Sequence, residues 1–261
     1  MSKTHQIKNF IRHHFAALHG GHGVHSPFVY QLCEEVFYNT AQLYRFDYLN
    51  AIRETLKHDK TTITMEDLGA GSLKFKSTER TIASIVEHGI STQPQAEMLA
   101  RLLNYLKVET CIELGTSIGL TTLYLASTGA TVHTIEGCSD LFKYAKQLGE
   151  KTKTETIIYH FGNFDSVLPK VLPQVKQPAF FYIDGNHTYE ATLRYVQWCM
   201  AFIQEDSIIA LDDIYWNAEM TRAWEEIKKE DAVRISLDLF HTGLLFFKKA
   251  PLEKIHYKLR V

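Results

Sequence analysis

The sequence predicts an α/β fold with a mostly parallel sheet, and three observations support that prediction. From residue 107 onward, short apolar runs alternate with helical stretches, which is typical of βαβ units. The last two runs, "RISLDLF" and "TGLLFFKK", are separated only by His241, a spacing that predicts an antiparallel hairpin. The residues before 107 show mostly helical patterns. We therefore expect a helical N-terminal extension over residues 1–90 and a sheet-containing domain over residues 91–261.

The individual elements follow from the spacing of apolar residues. Five short runs precede the hairpin, and we expect them to form parallel strands: "TCIELG", "TVHTIEG", "TIIYHFG", "AFFYIDG" and "SIIALDD". The helical stretches between them begin near Gly119, Cys138, Asn163 and Tyr189. Upstream of the first run, "QAEMLARLLNYL" has helical spacing, and Thr92 with Gln95 predicts a capping box at its start.

Composition excludes several classes of protein. The chain has 28 lysines and arginines against 30 aspartates and glutamates, a formal net charge of −2, so we expect neither a nucleic acid nor a membrane as partner. No apolar run is long enough to span a bilayer, and the N-terminus has no apolar segment typical of a signal peptide. The four cysteines are scattered, which favours reduced thiols in a cytoplasm over disulfides or a zinc site.

Two glycine loops are candidates for holding a nucleotide-like cofactor. "CIELGTSIGLTTLYLAS" supplies a strand, a turn and a helix, and the next strand ends in Glu136, placed where an acid commonly binds ribose hydroxyls. "EDLGAGS" (66–72) is followed by the polar, basic "LKFKSTER" and lacks such a helix and acid. We therefore predict the cofactor at the later loop and a turn at "EDLGAGS". A substrate-side role for the basic residues beside that turn stays open.

The later loop favours a methyl donor over a dinucleotide. Its "GTSIG" lacks the G-x-G-x-x-G triple of dinucleotide-binding folds. Glu113 lies two residues before Gly115, and an acid there suits a ligand with a cationic amino group. S-adenosyl-L-methionine carries such a group and NAD does not, so a dehydrogenase is the weaker alternative.

The motifs resemble those of a known family. "IELGTSIGLTTLYLA" resembles motif I of the S-adenosylmethionine-dependent O-methyltransferases of the catechol and caffeoyl-CoA type. "FYIDGNHTYEATLRYVQWCMAFIQEDSIIALDDIYW" is similar to the later motifs, and closer still to the bacterial branch with "DG-x-H-x-Y". The resemblance covers roughly residues 92–249. It implies a class I methyltransferase with a Rossmann-like, seven-stranded, mostly parallel sheet, acting on an oxygen of a small molecule.

The resemblance also implies which residues hold the cofactor. They would contact, in this order, the methionyl and ribose side, the ribose hydroxyls, the adenine and the sulfonium. In chain order these residues are Glu113, Gly115, Thr116, Ser117, Gly119, Glu136, Gly137, Asn163, Phe164 and Asp184. The ordinary explanation of the glycines is a tight turn, and of Glu136 a solvated strand end.

Three aspartates follow neighbouring strands of the predicted sheet. Asp184, Asp212 and Asp213 fall at the carboxyl ends of strands, where ligands bind in open α/β sheets. Three converging carboxylates repel one another, so Mg²⁺ or another divalent cation would stabilise them. The catechol-type relatives use Asp, Asp and Asn, and this chain departs from them at Asp213. The alternative is that Asp212 caps the next turn while Asp213 pairs with a basic residue.

The catalytic candidates are Asp184, His187 and Asp212. His187 lies three residues after Asp184 at a predicted helix start, and it would act as a general base or orient the acceptor. An ordinary polar contact is the alternative for this histidine. The sequence leaves open an N-methyltransferase, a metal-free enzyme and a non-catalytic S-adenosylmethionine-binding protein. A homodimer is a further expectation for such a fold.

Six of the 13 histidines lie in the first 25 residues. His13 and His14 are adjacent on a predicted helix and so point apart. "HGGHGVHSPF" is flexible by composition, and Ser26-Pro27 predicts the start of the next helix. A polar helix with a mobile loop explains this segment. The sharper hypothesis is a lid over the methyl acceptor, as in related methyltransferases.

Overall fold

The computed structural model describes residues 3–39, 44–65, 79–177, 179–247 and 253–261. The "EDLGAGS" loop and the neighbouring Lys74 and Lys76 lie outside the described residues. The chain forms two compact units: a terminal unit of residues 1–39 and 172–261, and a central unit of residues 40–171. The predicted functional division at residue 90 stays a prediction.

The elements alternate in type along most of the chain. In chain order they are α1 (Lys3–Ala16), β1 (Leu18–His19), α2 (Pro27–Leu32) with a π-helical turn (Cys33–Phe37), α3 (Tyr44–Leu56), β2 (Thr62–Thr64), β3 (Glu79–Thr81), α4 (Ile82–His88), α5 (Gln93–Tyr105), β4 (Thr110–Leu114), α6 (Leu120–Ala126), β5 (Thr131–Glu136), α7 (Ser139–Lys151), β6 (Ile157–Phe161), α8 (Phe164–Val171) with a 3₁₀ turn (Leu172–Gln174), β7 (Phe180–Ile183), α9 (Tyr189–Met200), β8 (Ile208–Asp212), α10 (Ala218–Ile227), β9 (Ile235–Asp238), β10 (Thr242–Phe246) and β11 (Ile255–Arg260).

The central unit contains three parallel strands in the order β4-β5-β6. Their register places Glu113 beside Thr134, and Glu136 beside Phe161. Helix α6 is buried along its whole length, which explains why "LTTLYLA" shows no polar face. A separate antiparallel pair, β2 with β3, completes the strands described in this unit.

The terminal unit contains six strands in the order β1-β11-β9-β10-β8-β7. β7 and β8 are parallel, β8, β10 and β9 are successively antiparallel, and β11 runs parallel to β9 and to β1. β7 and β8 are buried at every position, so their sequences are nearly continuous apolar runs. A Cβ on Gly243 would lie 2.6 Å from the ring of the buried Trp224, so β10 needs glycine for α10 to pack there.

Most of the predicted fold is confirmed. The sheet strands, the C-terminal hairpin β9–β10 and the starts of α6, α7, α8 and α9 lie where the sequence placed them. The strand count differs, because the two units contain three and six such strands among the described residues where seven were expected. The additional edge strands β1 and β11 have weak alternation, and β1 has only two residues.

Two smaller findings complete the comparison. Thr92 is the N-cap of α5, but its side chain accepts no capping hydrogen bond, so the predicted capping box is wrong. Pro94, in the first turn, instead favours the helical backbone there. Among the described residues, no helix has both the length and the apolar character needed to cross a membrane.

Candidate functional site

The glycine loop between β4 and α6 folds back on β5. Gly115 and Gly119 have φ values of 102° and 83°, a region that L side chains rarely adopt, and Ser117 shares it with φ 51°. The amides of Gly115 and Thr116 both donate to the carbonyl of Ile135, at 3.0 and 3.3 Å. A Cβ on Gly119 would lie 3.0 Å from Cβ of Ala145 on α7. The loop is therefore a tight turn whose backbone conformation favours glycine at positions 115 and 119.

Glu113 is a fully buried carboxylate at the base of this loop. Its Oε2 accepts hydrogen bonds from Thr122 Oγ1 at 2.5 Å and Thr134 Oγ1 at 2.7 Å. Thr116 Oγ1 also hydrogen-bonds Thr134 Oγ1. Glu113 thus ties β4 to the start of α6 and to β5, which is a structural role. Its role toward a cofactor stays a prediction.

Glu136 connects the end of β5 to the same loop. Its Oε2 accepts from the Ser117 amide and its Oε1 from the Cys138 amide, each at 2.8 Å. The side chain is only partly buried, and each carboxylate oxygen can accept more than one hydrogen bond. Glu136 is therefore fixed in place while remaining able to accept from the two hydroxyls of a ribose. Gly137, between these contacts, is also partly exposed.

The third predicted cofactor segment begins after β6. Gly162 has φ 135°, and its amide donates to the carbonyl of Glu136 at 2.9 Å. Asn163 is exposed, and its Oδ1 accepts from the Ser166 amide at 2.8 Å, so it caps α8. Phe164 is partly buried at the first position of that helix. Gly162 was missed by the sequence analysis, although its glycine directly after a strand was a visible signal.

The acidic segment, by which we mean Asp184, His187, Asp212 and Asp213, lies in the terminal unit at the ends of β7 and β8. Burial raises the pKa of both Asp184 and Asp212, and the charge of Asp184 raises the pKa of Asp212 further. Tyr182 Oη donates to Asp184 Oδ2 at 3.3 Å. His187 Nε2 lies 3.7 Å from Asp184 Oδ1, with about a fifth of each side chain exposed. The structure therefore brings together all three predicted catalytic residues.

Asn217 holds the backbone of this segment, a role that the sequence analysis missed. Its Nδ2 donates to the carbonyl of His187 at 3.0 Å, while its Oδ1 caps α10 by accepting from the Met220 amide at 2.8 Å. Trp216 faces His187 with ring centroids 6.4 Å apart. Asn217 follows a run of apolar residues directly before a helix, which is the signal that predicts an N-cap.

The structure gives no geometric support for a divalent cation at the three aspartates. The part of the chain that the structure describes contains no group of three His, Cys, Asp or Glu side chains positioned to hold a metal ion. The metal role of Asp184, Asp212 and Asp213 stays a prediction. Asp213 has a left-handed backbone with φ 54°. The cap of the following helix is Asn217 rather than Asp212.

Helix α1 contacts Trp216 and Thr221, which follow the acidic segment in the chain, through polar side chains. Gln6 Nε2 donates to the carbonyl of Trp216 at 3.1 Å, and His5 Nε2 lies 3.1 Å from Thr221 Oγ1. His13 is buried, and its Nε2 lies 3.1 Å from Asp238 Oδ1, whereas His14 is exposed. The two adjacent histidines therefore point apart as predicted.

The segment after α1 is a structured turn. Gly20, Gly21 and Gly23 all have left-handed backbones, and β1 pairs with β11 at the edge of the sheet. Ser26 caps α2 by accepting from the Val29 amide at 3.4 Å, with Pro27 in the first turn, as predicted. The backbone conformation explains why glycines occur in this segment, and the cap of α2 explains Ser26-Pro27. A lid role for the segment stays a prediction.

Comparisons with known proteins agree with this geometry. Residues 112–214, from β4 to the turn after β8, match the sequence family described as a methyltransferase domain. No curated protein matches the chain in sequence.

Solved structures show the same fold at low sequence identity. A methyltransferase of Podospora anserina bound to SAH has a TM-score of 0.58 and 11% identity, covering 81% of this chain and 91% of its own. An O-methyltransferase of Bacillus cereus in complex with SAH has a TM-score of 0.54 and 14% identity, with coverages of 80% and 93%. The O-methyltransferase TomG of Streptomyces achromogenes, in complex with SAM, has a TM-score of 0.54 and 15% identity, with coverages of 61% and 82%. The chain therefore has the Rossmann-like fold of these structures, and residues 112–214 are similar to the methyltransferase-domain family.

Proposed function

We propose that this protein is an S-adenosyl-L-methionine-dependent methyltransferase of the bacterial cytoplasm that methylates an oxygen atom of a small molecule. The observation that carries the proposal is the methyltransferase-domain match over residues 112–214, which contains both the glycine loop and the acidic segment. The four free, buried cysteines agree with a reducing compartment.

The central unit supplies the residues that would bind the cofactor. Glu136, held by two backbone amides, would accept hydrogen bonds from the ribose hydroxyls. The left-handed Gly115 and Gly119 let the backbone approach a ligand without side chains in the way. When bound, the cofactor supplies an electrophilic methyl group on a sulfonium. Asn163 and Phe164 would contact the adenine, and Glu113 would act through the loop that it ties down.

The terminal unit supplies the residues that would act on the acceptor. Methyl transfer to a hydroxyl releases a proton, which a neutral imidazole can accept. His187 would take that proton, and Asp184 at 3.7 Å would stabilise the resulting imidazolium. Asn217 fixes the His187 backbone, and Trp216 would limit the shape of the acceptor. No step of this mechanism uses a metal, and a cation at the three aspartates stays the alternative.

Calorimetric titration with S-adenosylmethionine, S-adenosylhomocysteine and NAD tests the cofactor. We expect both sulfur compounds to bind, and Glu136→Gln to weaken them about tenfold, because one charged acceptor of ribose hydroxyls is lost. Asp140→Asn, a nearby acid in the first turn of α7, is the matched control and should bind like the native protein. Binding of NAD alone would refute the proposal.

Turnover separates the enzyme from a binding protein. Hydroxylated and amine acceptors are offered with methyl-labelled cofactor, and we expect label on oxygen compounds only. Asp184→Asn and His187→Ala should each lower turnover at least about a hundredfold while leaving cofactor affinity nearly intact. Activity on amines would favour the N-methyltransferase, and loss of activity on adding EDTA would restore a metal to the mechanism.

A further inference from the structure

Helix α1 has its amphipathic pattern reversed. The side chains that hydrogen-bond to the rest of the terminal unit on its inner side are His5, Gln6 and His13. The opposite side exposes large apolar side chains, with exposed fractions in parentheses: Ile7 (58%), Phe10 (52%), Ile11 (50%) and Phe15 (85%). A surface helix normally buries its apolar side, so this arrangement requires an explanation.

Polar contacts supply most of the interactions that hold α1 in position. Besides the bonds from Gln6 and His5, the buried His13 joins Asp238, which also accepts from Tyr215 Oη at 2.6 Å. Phe10 makes only an edge contact with the ring of Phe240, with centroids 5.3 Å apart, and half of its surface stays exposed. The exposed apolar side of α1 is therefore not needed to hold the helix on this unit.

The charged residues of α1 itself are all of one sign. The sequence of α1, "KTHQIKNFIRHHFA", contains no acidic residue, and Lys8 and Arg12 are exposed beside the apolar side chains. If two copies of α1 packed against each other, the basic side chains of both would meet without an acidic partner on the helices. An anionic lipid surface instead offers hydrocarbon for the apolar side chains and phosphate for the cations.

We propose that α1 docks this protein on an anionic membrane surface, lying flat with its exposed apolar side in the headgroup region. A helix of 14 residues is about 21 Å long, which suits an interfacial helix and is too short to span a bilayer. The remainder of the chain has a slightly negative balance, so the interaction should be reversible and sensitive to salt. Gln6, on the opposite side of α1, bonds the carbonyl of Trp216. Docking would therefore leave α1 between the bilayer and Trp216.

Vesicle co-sedimentation of the full chain tests the proposal. The probes are vesicles of phosphatidylcholine alone and of phosphatidylcholine with phosphatidylglycerol. We expect binding to the mixed vesicles, weaker binding at high salt and little binding to the neutral ones. Ile11→Ser/Phe15→Ser and Lys8→Gln/Arg12→Gln should each reduce the partition coefficient on the order of tenfold.

Matched variants control for composition and charge. Tyr48→Ser/Ile158→Ser removes two exposed apolar side chains from the central unit, and Lys57→Gln/Lys143→Gln removes two exposed cations there. Both controls should bind vesicles like the native chain, and all four variants should keep their melting temperature because the altered side chains are exposed.

Three results would overturn the proposal: no binding to the mixed vesicles, equal loss in the controls, or a dimer in sedimentation velocity that Ile11→Ser/Phe15→Ser converts to a monomer without any vesicle binding. In the last case the exposed side of α1 would be a subunit interface. S-adenosylmethionine titration of the same variants reports on the proposed function independently, because α1 contains none of the predicted cofactor residues.

Discussion

The two units use carboxyl groups at strand ends in opposite ways. In the central unit, Glu113 and Glu136 accept hydrogen bonds from hydroxyl and amide donors. In the terminal unit, Asp184 and Asp212 lie near each other, and burial raises the pKa of both. The comparison teaches that the surroundings of a carboxyl group at a strand end, and not the residue type, decide how the group is held.

Glu113→Ala should give the largest change in stability. The substitution leaves the hydroxyls of Thr122 and Thr134 without their acceptor and opens a cavity in the core. We expect the free energy of unfolding to fall by about 3 kcal/mol. Urea unfolding followed by circular dichroism measures it. Glu109→Ala, at the residue before β4, is a surface control; equal losses in both variants would mean that the donors around Glu113 contribute nothing.

Asp238→Asn should have the next largest effect. Asp238 is buried, yet hydrogen bonds from His13, Tyr215 and the Phe240 amide lower its pKa. We expect a loss of about 2 kcal/mol at neutral pH in urea unfolding. A depressed folded-state pKa stabilises the fold above the unfolded value, and that stabilisation is lost as the pH falls through the folded pKa. The difference in the free energy of unfolding between the variant and the native chain should therefore become smaller at acidic pH. A difference that is constant with pH would show that Asp238 is not held as an anion.

Asp212→Asn should have the smallest effect and the opposite sign. The raised pKa means that the folded state retains a proton that the unfolded chain releases, so stability falls as the pH rises from the unfolded value through the folded one. An amide removes this cost, and we expect the variant to be more stable than the native chain by about 1 kcal/mol at pH 8. At a pH below the pKa of the unfolded chain, the variant and the native chain should have nearly equal free energies of unfolding. Destabilisation at pH 8 would show that the ionised Asp212 is stabilised by its surroundings.

The cofactor half of the candidate site followed closely from the sequence, because its geometry is local. Gly115, Gly119 and Glu136 belong to one strand–turn–helix–strand unit, and the register between β4 and β5 makes them neighbours. The prediction of Asn163 near the adenine stays untested, while its observed cap on α8 is a local role that any helix start can create. Periodicity likewise predicted the hairpin, but it missed β11, whose alternating exposure is only partial.

The net charge of the chain does not describe the local surface of α1. A balance of −2 over 261 residues argued against a membrane partner. That balance averages over the whole chain, whereas α1 is a short region with exposed cations and apolar side chains and no acid. The sequence of α1 alone does not tell which of its sides faces the protein, because His5, Gln6 and His13 find partners more than 200 residues away.

The sequence by itself determined most of the order of strands and helices, the position of the glycine loop and the identity of the acids at the strand ends. These depend on apolar period, glycine and spacing along the chain, which act over a few residues. Only the tertiary structure decided that burial raises the pKa of Asp184 and Asp212, that Asn217 holds His187, and that α1 turns its apolar side outward. Those properties depend on donors and on burial contributed by distant segments, and no local pattern specifies them.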